Sequence, residues 1–261
     1  MSLACKERVM AIGDTDLSGE RKRLYRFLER HGPVEPATVA ERVGLDPERF
    51  QHHLAILKRD GLVEEAADGD LVVSLQSGEA EEHSEAGLSY TIRPARQADF
   101  SGVVGVIRQV AAAGTDIAAE SVAEQLEYED TLVRRTPTNC RVVFVATVAD
   151  EVVGWCHVAV PELRKLAGTA ELTLGVIEGY RRHGIGSHLL QRGVNWAAGR
   201  GCRKVYESLP ATNERAIDFL KTHGWTVEAL REDHYEIGGD LVDEVMLARL
   251  LDGGDDRADE P

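Results

Sequence analysis

The segment Glu171–Leu190 constrains the fold more than any other stretch of the chain. Leu172, Leu174 and Val176 alternate along it, which predicts a strand with one buried face. Ile177-Glu178-Gly179-Tyr180 follows, then Arg181-Arg182-His183-Gly184-Ile185-Gly186-Ser187. Beyond the loop, Ile185, Leu189 and Trp196 mark the buried side of an amphipathic helix. Gly184 and Gly186 lack Cβ atoms, so a diphosphate can approach the backbone closely. The loop amides and the helix N-terminus then turn donors and positive partial charge toward it. Arg181 and Arg182 add formal charge.

Arg181-x-x-Gly184-x-Gly186 resembles the Q/R-x-x-G-x-G/A pattern of the GNAT superfamily of acyltransferases. The spacing is not G-x-G-x-x-G and no βαβ series follows, which argues against a dinucleotide site. A second stretch, Asn213-Glu214-Arg215-Ala216-Ile217-Asp218-Phe219-Leu220-Lys221-Thr222-His223-Gly224-Trp225, resembles the family's N-x-x-A-x-x-(L/F)-Y-x-x-x-G-F. The resemblance covers about residues 88–250 and implies a mixed α/β fold, a central sheet flanked by helices. It implies acetyl-CoA as co-substrate, held by Leu174, Val176, Arg181, Arg182, His183, Gly184, Ile185, Gly186, Ser187 and Asn213. Asn213 also suits a helix N-cap.

The same resemblance implies that strands Glu171–Val176 and Lys204–Leu209 splay apart to admit the thioester. Its carbonyl would lie near the backbone N–H of Val176, a donor for the developing oxyanion. A primary amine acceptor arrives protonated and must lose a proton before it attacks. Ala170-Glu171-Leu172 resembles the Ala-Glu-apolar opening of this strand in protein-lysine acetyltransferases, which makes Glu171 the candidate base. Glu207, Tyr206 and His157 are rivals on neighbouring strands. The tyrosine that often serves the family as general acid falls at Leu220, which has no proton to give. The segment Ala118–Thr138 is expected to wall the acceptor side, with Glu120, Glu124, Glu127, Glu129 and Asp130.

Ahead of this domain, apolar residues recur at helical spacing: Leu24, Phe27, Leu28, then Val39, Ala40, Val43, then Phe50, Leu54, Leu57. Asp46-Pro47 has the form of an N-cap with a first-turn proline. Leu62-Val63-Glu64 and Leu71-Val72-Val73 flank Asp68-Gly69, a hairpin signal. Thr38–Leu45 and His53–Val63 resemble ArsR/MarR-like regulators, which implies a winged helix-turn-helix over residues 20–75. Its recognition candidates are Arg49, Gln51, His52, Lys58 and Arg59. Residues 20–60 carry nine Lys/Arg against seven Asp/Glu, whereas 61–91 carry eight Asp/Glu and no Lys or Arg. DNA binding depends on phosphate neutralisation, so the first stretch favours it and the second opposes it. Dimerisation or protein docking is the other use of such a module.

Residues 1–19 are expected to be a flexible arm, 76–87 an acidic linker with almost no large apolar group, and 251–261 an acidic disordered tail. The net charge is −15, and Arg outnumbers Lys 24 to 6, a composition that resembles haloarchaeal proteins. No run approaches the ~20 apolar residues of a membrane span. Nothing at the N-terminus has the form of a secretory signal, and a cytoplasmic protein is expected. The four cysteines form no CxxC pair, so no metal site is expected. Two functions stand: an N-acetyltransferase, or a DNA-binding transcription regulator that senses acyl-CoA through a non-catalytic GNAT domain. A homodimer is compatible with either.

Overall fold

The computed structural model describes residues 19–251 apart from 32–33, 60–61, 67–68, 75–79, 113–116, 136–138, 162, 164 and 167. The expected arm before residue 19 and the tail beyond 251 lie outside the described residues. Three helices come first: α1 (Gly19–His31), α2 (Pro36–Val43) and α3 (Pro47–Arg59). Leu24, Tyr25 and Leu28 of α1, Val39 of α2, and Phe50, Leu54 and Leu57 of α3 are buried at helical spacing. Gly44, with φ of 70°, ends α2 and turns its N–H back onto the carbonyls of Ala40 and Glu41. The Asp46 carboxylate accepts the Arg49 N–H at 3.0 Å and so caps α3. Strands β1 (Val63–Glu65) and β2 (Leu71–Val73) pair antiparallel. Leu71 also bridges Val34, which ties the pair to the chain ahead of α2.

The rest of the described chain builds one mixed sheet. Its strands are β3 (Glu81–Glu85), β4 (Leu88–Pro94), β5 (Arg134–Arg135), β6 (Asn139–Val148), β7 (Glu151–Pro161), β8 (Thr169–Val176), β9 (Lys204–Pro210), β10 (Thr226–Ile237) and β11 (Asp240–Leu250). The order is β10-β11-β9-β8-β7-β6-β4-β3, with β5 beside the end of β6. Only the β8–β9 junction is parallel. Ala149 and Asp150 both take positive φ between β6 and β7, the turn geometry that matches strand twist. Helices α4 (Phe100–Ala111) and α5 (Ile117–Glu129) cover one face, packing on Val143, Val145 and Trp155. Helices α6 (Ile185–Gly199) and α7 (Glu214–Thr222) cover the other, over residues such as Val142, Phe144, Cys156, Val158 and Leu172. At Gly193 a Cβ would come within 2.7 Å of Cys156 Sγ, so α6 lies tight on the sheet.

Two expectations on boundaries are corrected. Residues 81–85, placed in an acidic linker, form β3 and pair with β4 from Glu81↔Ile92 to Glu85↔Leu88. Backbone pairing needs no apolar side chain, so composition did not show this strand. Leu251, placed in the tail, is buried and donates its N–H to the Arg203 carbonyl at 2.9 Å. Among the described residues no helix is long and apolar enough to cross a membrane.

Candidate active site

Strands β8 and β9 pair at Thr169↔Lys204, Ala170↔Val205 and Glu171↔Tyr206, and part beyond that point. β8 continues to Val176 along β7, while β9 continues to Pro210 along β11. A wedge therefore opens with Glu171 and Tyr206 at its apex. Ile177 donates to the Val153 carbonyl at 3.1 Å, which fixes the phase of the β7–β8 ladder. In an antiparallel ladder successive residues turn their amides to opposite sides, so those of Leu174 and Val176 face the wedge.

The loop after β8 runs through a short 3-10 turn at Glu178–Tyr180. Arg181 Nε donates to the Val176 carbonyl at 2.8 Å and closes the loop onto the strand end. Arg182 has φ of 69° and Gly184 φ of 74°; a left-handed arginine is strained, and such strain gathers at functional loops. Gly184 is the N-cap of α6, so the helix starts where the glycines clear space. At Gly186 a Cβ would come within 3.5 Å of the Phe219 ring. Val176 packs beside it, and its side chain is partly buried with that of Leu174. The His183 Nδ1 is buried with no partner among the described residues. Ile185 is buried and anchors the turn. This backbone cradle, with the positive end of α6, suits a diphosphate.

His223 was not singled out from the sequence, yet it joins the site. Its Nδ1 donates to the Phe219 carbonyl at 2.8 Å, which leaves Nε2 to accept the Ser187 hydroxyl at 3.0 Å in the neutral ring. The signal was present as a histidine at the C-terminal end of α7, directly before Gly224. Asn213 caps α7, its Oδ1 accepting the Ala216 N–H at 3.3 Å. Leu220 is 1% exposed and packs in the core.

The candidate bases separate by face. Strand alternation puts Glu171, Thr173 and Gly175 of β8 opposite Ala159, His157 and Trp155 of β7, on the α4/α5 side. Tyr206 shares that side through its pairing with Glu171. Glu207 is one residue on, so it faces the α6/α7 side, where its charge helps burial push the Cys156 thiol up. His157 is fully enclosed; burial first, then Arg141, lowers it to about 3, so it stays neutral and is a poor base. Burial raises Glu171 above the ordinary carboxylate value, and burial followed by Glu171 raises Tyr206. A phenol that holds its proton is no base. On α5, Glu127 pairs with Arg108, and Glu129 with Arg141 at 2.6 Å and Arg134 at 3.0 Å, so part of the expected acidic wall is neutralised. In the N-terminal module Arg49 is bound to Glu20 at 2.9 Å and Lys58 to Glu65 at 2.5 Å. Among the described residues no group of His, Cys, Asp or Glu could hold a metal ion.

Residues 112–225 match the family model described as Acetyltransferase (GNAT) family. Over 86 residues the chain is 31% identical to N-alpha-acetyltransferase 60 of Danio rerio, a match covering 32% of this chain and 36% of that protein. The chain thus spans little more than a third of that relative's length. The fold is similar to that of the yncA protein of Salmonella typhimurium, solved with its cofactor acetyl-CoA (TM-score 0.52, 20% identity, 64% of this chain, 96% of that one). It is also similar to a GCN5-related N-acetyltransferase from Kribbella flavida (TM-score 0.51, 22% identity, 62% and 98%). A third likeness is to the GNAT domain of S. lividans PAT (TM-score 0.51, 19% identity, 66% and 97%). The described sheet and helices thus have the mixed α/β fold of these proteins, residues 112–225 match the GNAT family model, and acetyl-CoA is the co-substrate that goes with that fold.

Proposed function

We propose that this chain is an N-acetyltransferase that moves the acetyl group of acetyl-CoA to a primary amine by direct attack, with Glu171 as general base. One observation carries the reading: β8 and β9 part immediately after Glu171↔Tyr206, which sets a partly buried carboxyl with a raised pKa at the apex of the wedge. The amides of residues 184–187, with Arg182 and His183 beside them, hold the diphosphate. Ser187 is oriented by His223, and Asn213 lies at the start of α7 on the same side. The Val176 N–H faces the wedge and stabilises the oxyanion as the amine nitrogen bonds to the acetyl carbon. Before that attack Glu171 takes one proton from the ammonium, directly or through water, and the surplus proton on the bonded nitrogen then passes to solvent. The C–S bond then breaks, and the thiolate takes its proton from solvent, since Leu220 offers none.

Steady-state CoA release across protein lysines, N-terminal peptides and small amines tests the proposal. Turnover on at least one amine class is expected; tight acetyl-CoA binding with no turnover on any would overturn it. The second reading, an acyl-CoA-sensing regulator, draws on the burial of Leu220 where the family's tyrosine would stand. Sequence-specific DNA retention at high salt, together with that silence, would favour it.

A further inference from the structure

Every second side chain of β3 meets α6. Glu81 is ion-paired with Arg192. His83 stacks on His188, with ring centroids 3.9 Å and planes 18° apart. The Glu85 carboxylate rests against Gly184, where any Cβ would collide with it. Two residues along a strand advance about 6.6 Å and four along a helix about 6 Å, so the two series stay in step. Tyr90, paired with His83 in β4, reinforces the seam through a 2.6 Å hydrogen bond between its hydroxyl and His188 Nδ1.

Gly184 caps α6 at its positive end. A diphosphate needs that end and the space that the glycine leaves open. Glu85 brings a negative charge to the same spot. We infer that β3 is an autoinhibitory strap: Glu85 occupies the mouth of the acyl-CoA loop, and acetyl-CoA enters only as that carboxylate withdraws. This rests on reading residues 181–187 as the acyl-CoA loop. In sequence, residues 74–80 separate β2 from β3.

Calorimetric titration of acetyl-CoA into the full chain and its Glu85→Gln variant reads the strap. The variant should bind about fivefold more tightly, the size of one carboxylate's effect at a helix terminus. Hydrogen exchange on the wild-type chain gives a second readout: acetyl-CoA should speed exchange of the β3 amides. Equal affinity in the two proteins, or slower β3 exchange on binding, overturns the strap and leaves the acyl-CoA loop standing. No acetyl-CoA binding by either protein overturns the loop reading, and the strap with it.

Discussion

The two faces of the central sheet differ in what they bury. Under α6 and α7 the strands present Cys140, Val142, Phe144, Ala146, Val158, Leu172, Val205 and Leu209, an apolar face interrupted by Glu207. Under α4 and α5 they also present Arg141, His157 and Thr173, all buried, and beyond them Glu171 and Tyr206. Buried polar groups are destabilising unless partnered, so a fold that concentrates them on one face signals use there. The His157 ring nitrogens, the Thr173 hydroxyl and the Trp155 N–H have no partner among the described residues. Both faces bury apolar side chains, but the α4/α5 face is where the candidate base Glu171 sits beside buried polar groups.

The hardest test of that division is Glu171→Gln. Loss of a general base removes about a hundred- to ten-thousandfold of rate, so kcat should fall by that order while acetyl-CoA affinity stays unchanged. A variant that keeps its turnover would put the base elsewhere. The wild-type pH profile sharpens the point: activity should rise on the acid side with an apparent pKa above 4.5, because burial holds the Glu171 proton. Stability has the opposite sign. Between the unfolded value and the raised folded one, the folded chain binds more protons, so stability falls as pH climbs and the full penalty remains above the folded pKa. Urea unfolding should therefore find the inactive Glu171→Gln protein more stable than wild type above that window, with the advantage vanishing in acid.

The loop and both of its flanking elements were legible in the sequence because their signals are local. Alternating Leu172, Leu174 and Val176, paired glycines and the stripe of Ile185 and Leu189 need no distant partner. Asp46 and Pro47 are legible as a cap for the same reason. β3 was not: Glu81-Glu82-His83-Ser84-Glu85 has no apolar residue, and its partners Gly184, His188 and Arg192 lie about a hundred positions on. The resemblance singled out Glu171 over Glu207, but the face on which each lies was not legible, since it depends on a register set between strands. His223 stayed hidden because its role needs α7 to lie beside the first turn of α6.

Arg141 probes the polar face by stability alone. Its guanidinium is 1% exposed, bonded to Glu129 at 2.6 Å and to the Thr131 carbonyl at 2.6 Å. It also donates to the Leu132 carbonyl at 3.3 Å. Arg141→Ala leaves the partly buried Glu129 carboxylate with Arg134 alone and strands two carbonyl groups. Removing one member of such a pair is destabilising by about 3–5 kcal/mol, a large shift in a denaturant midpoint. A change below about 1 kcal/mol, the range of an exposed ion pair, would show that this face tolerates polar loss as readily as a surface.

Asn213→Ala brings the smallest effect and asks whether α7 belongs to the site or merely to the fold. The Asn213 Oδ1 caps the helix, so the substitution should lower stability by about 1 kcal/mol through the lost cap. Replacements by Asp and by Gly separate the two roles. Aspartate caps as well as asparagine but carries a charge that opposes an anionic ligand; glycine forfeits only about a few tenths of a kcal/mol of capping and offers no side chain. If Asn213 contacts the CoA arm, Asn213→Asp should fold like wild type and bind acetyl-CoA more weakly, while Asn213→Gly should weaken binding with almost no loss of stability. Acetyl-CoA affinity that follows stability across the Ala, Gly and Asp variants would assign Asn213 to capping alone, and the co-substrate would then be held chiefly by β8 and the loop ahead of α6.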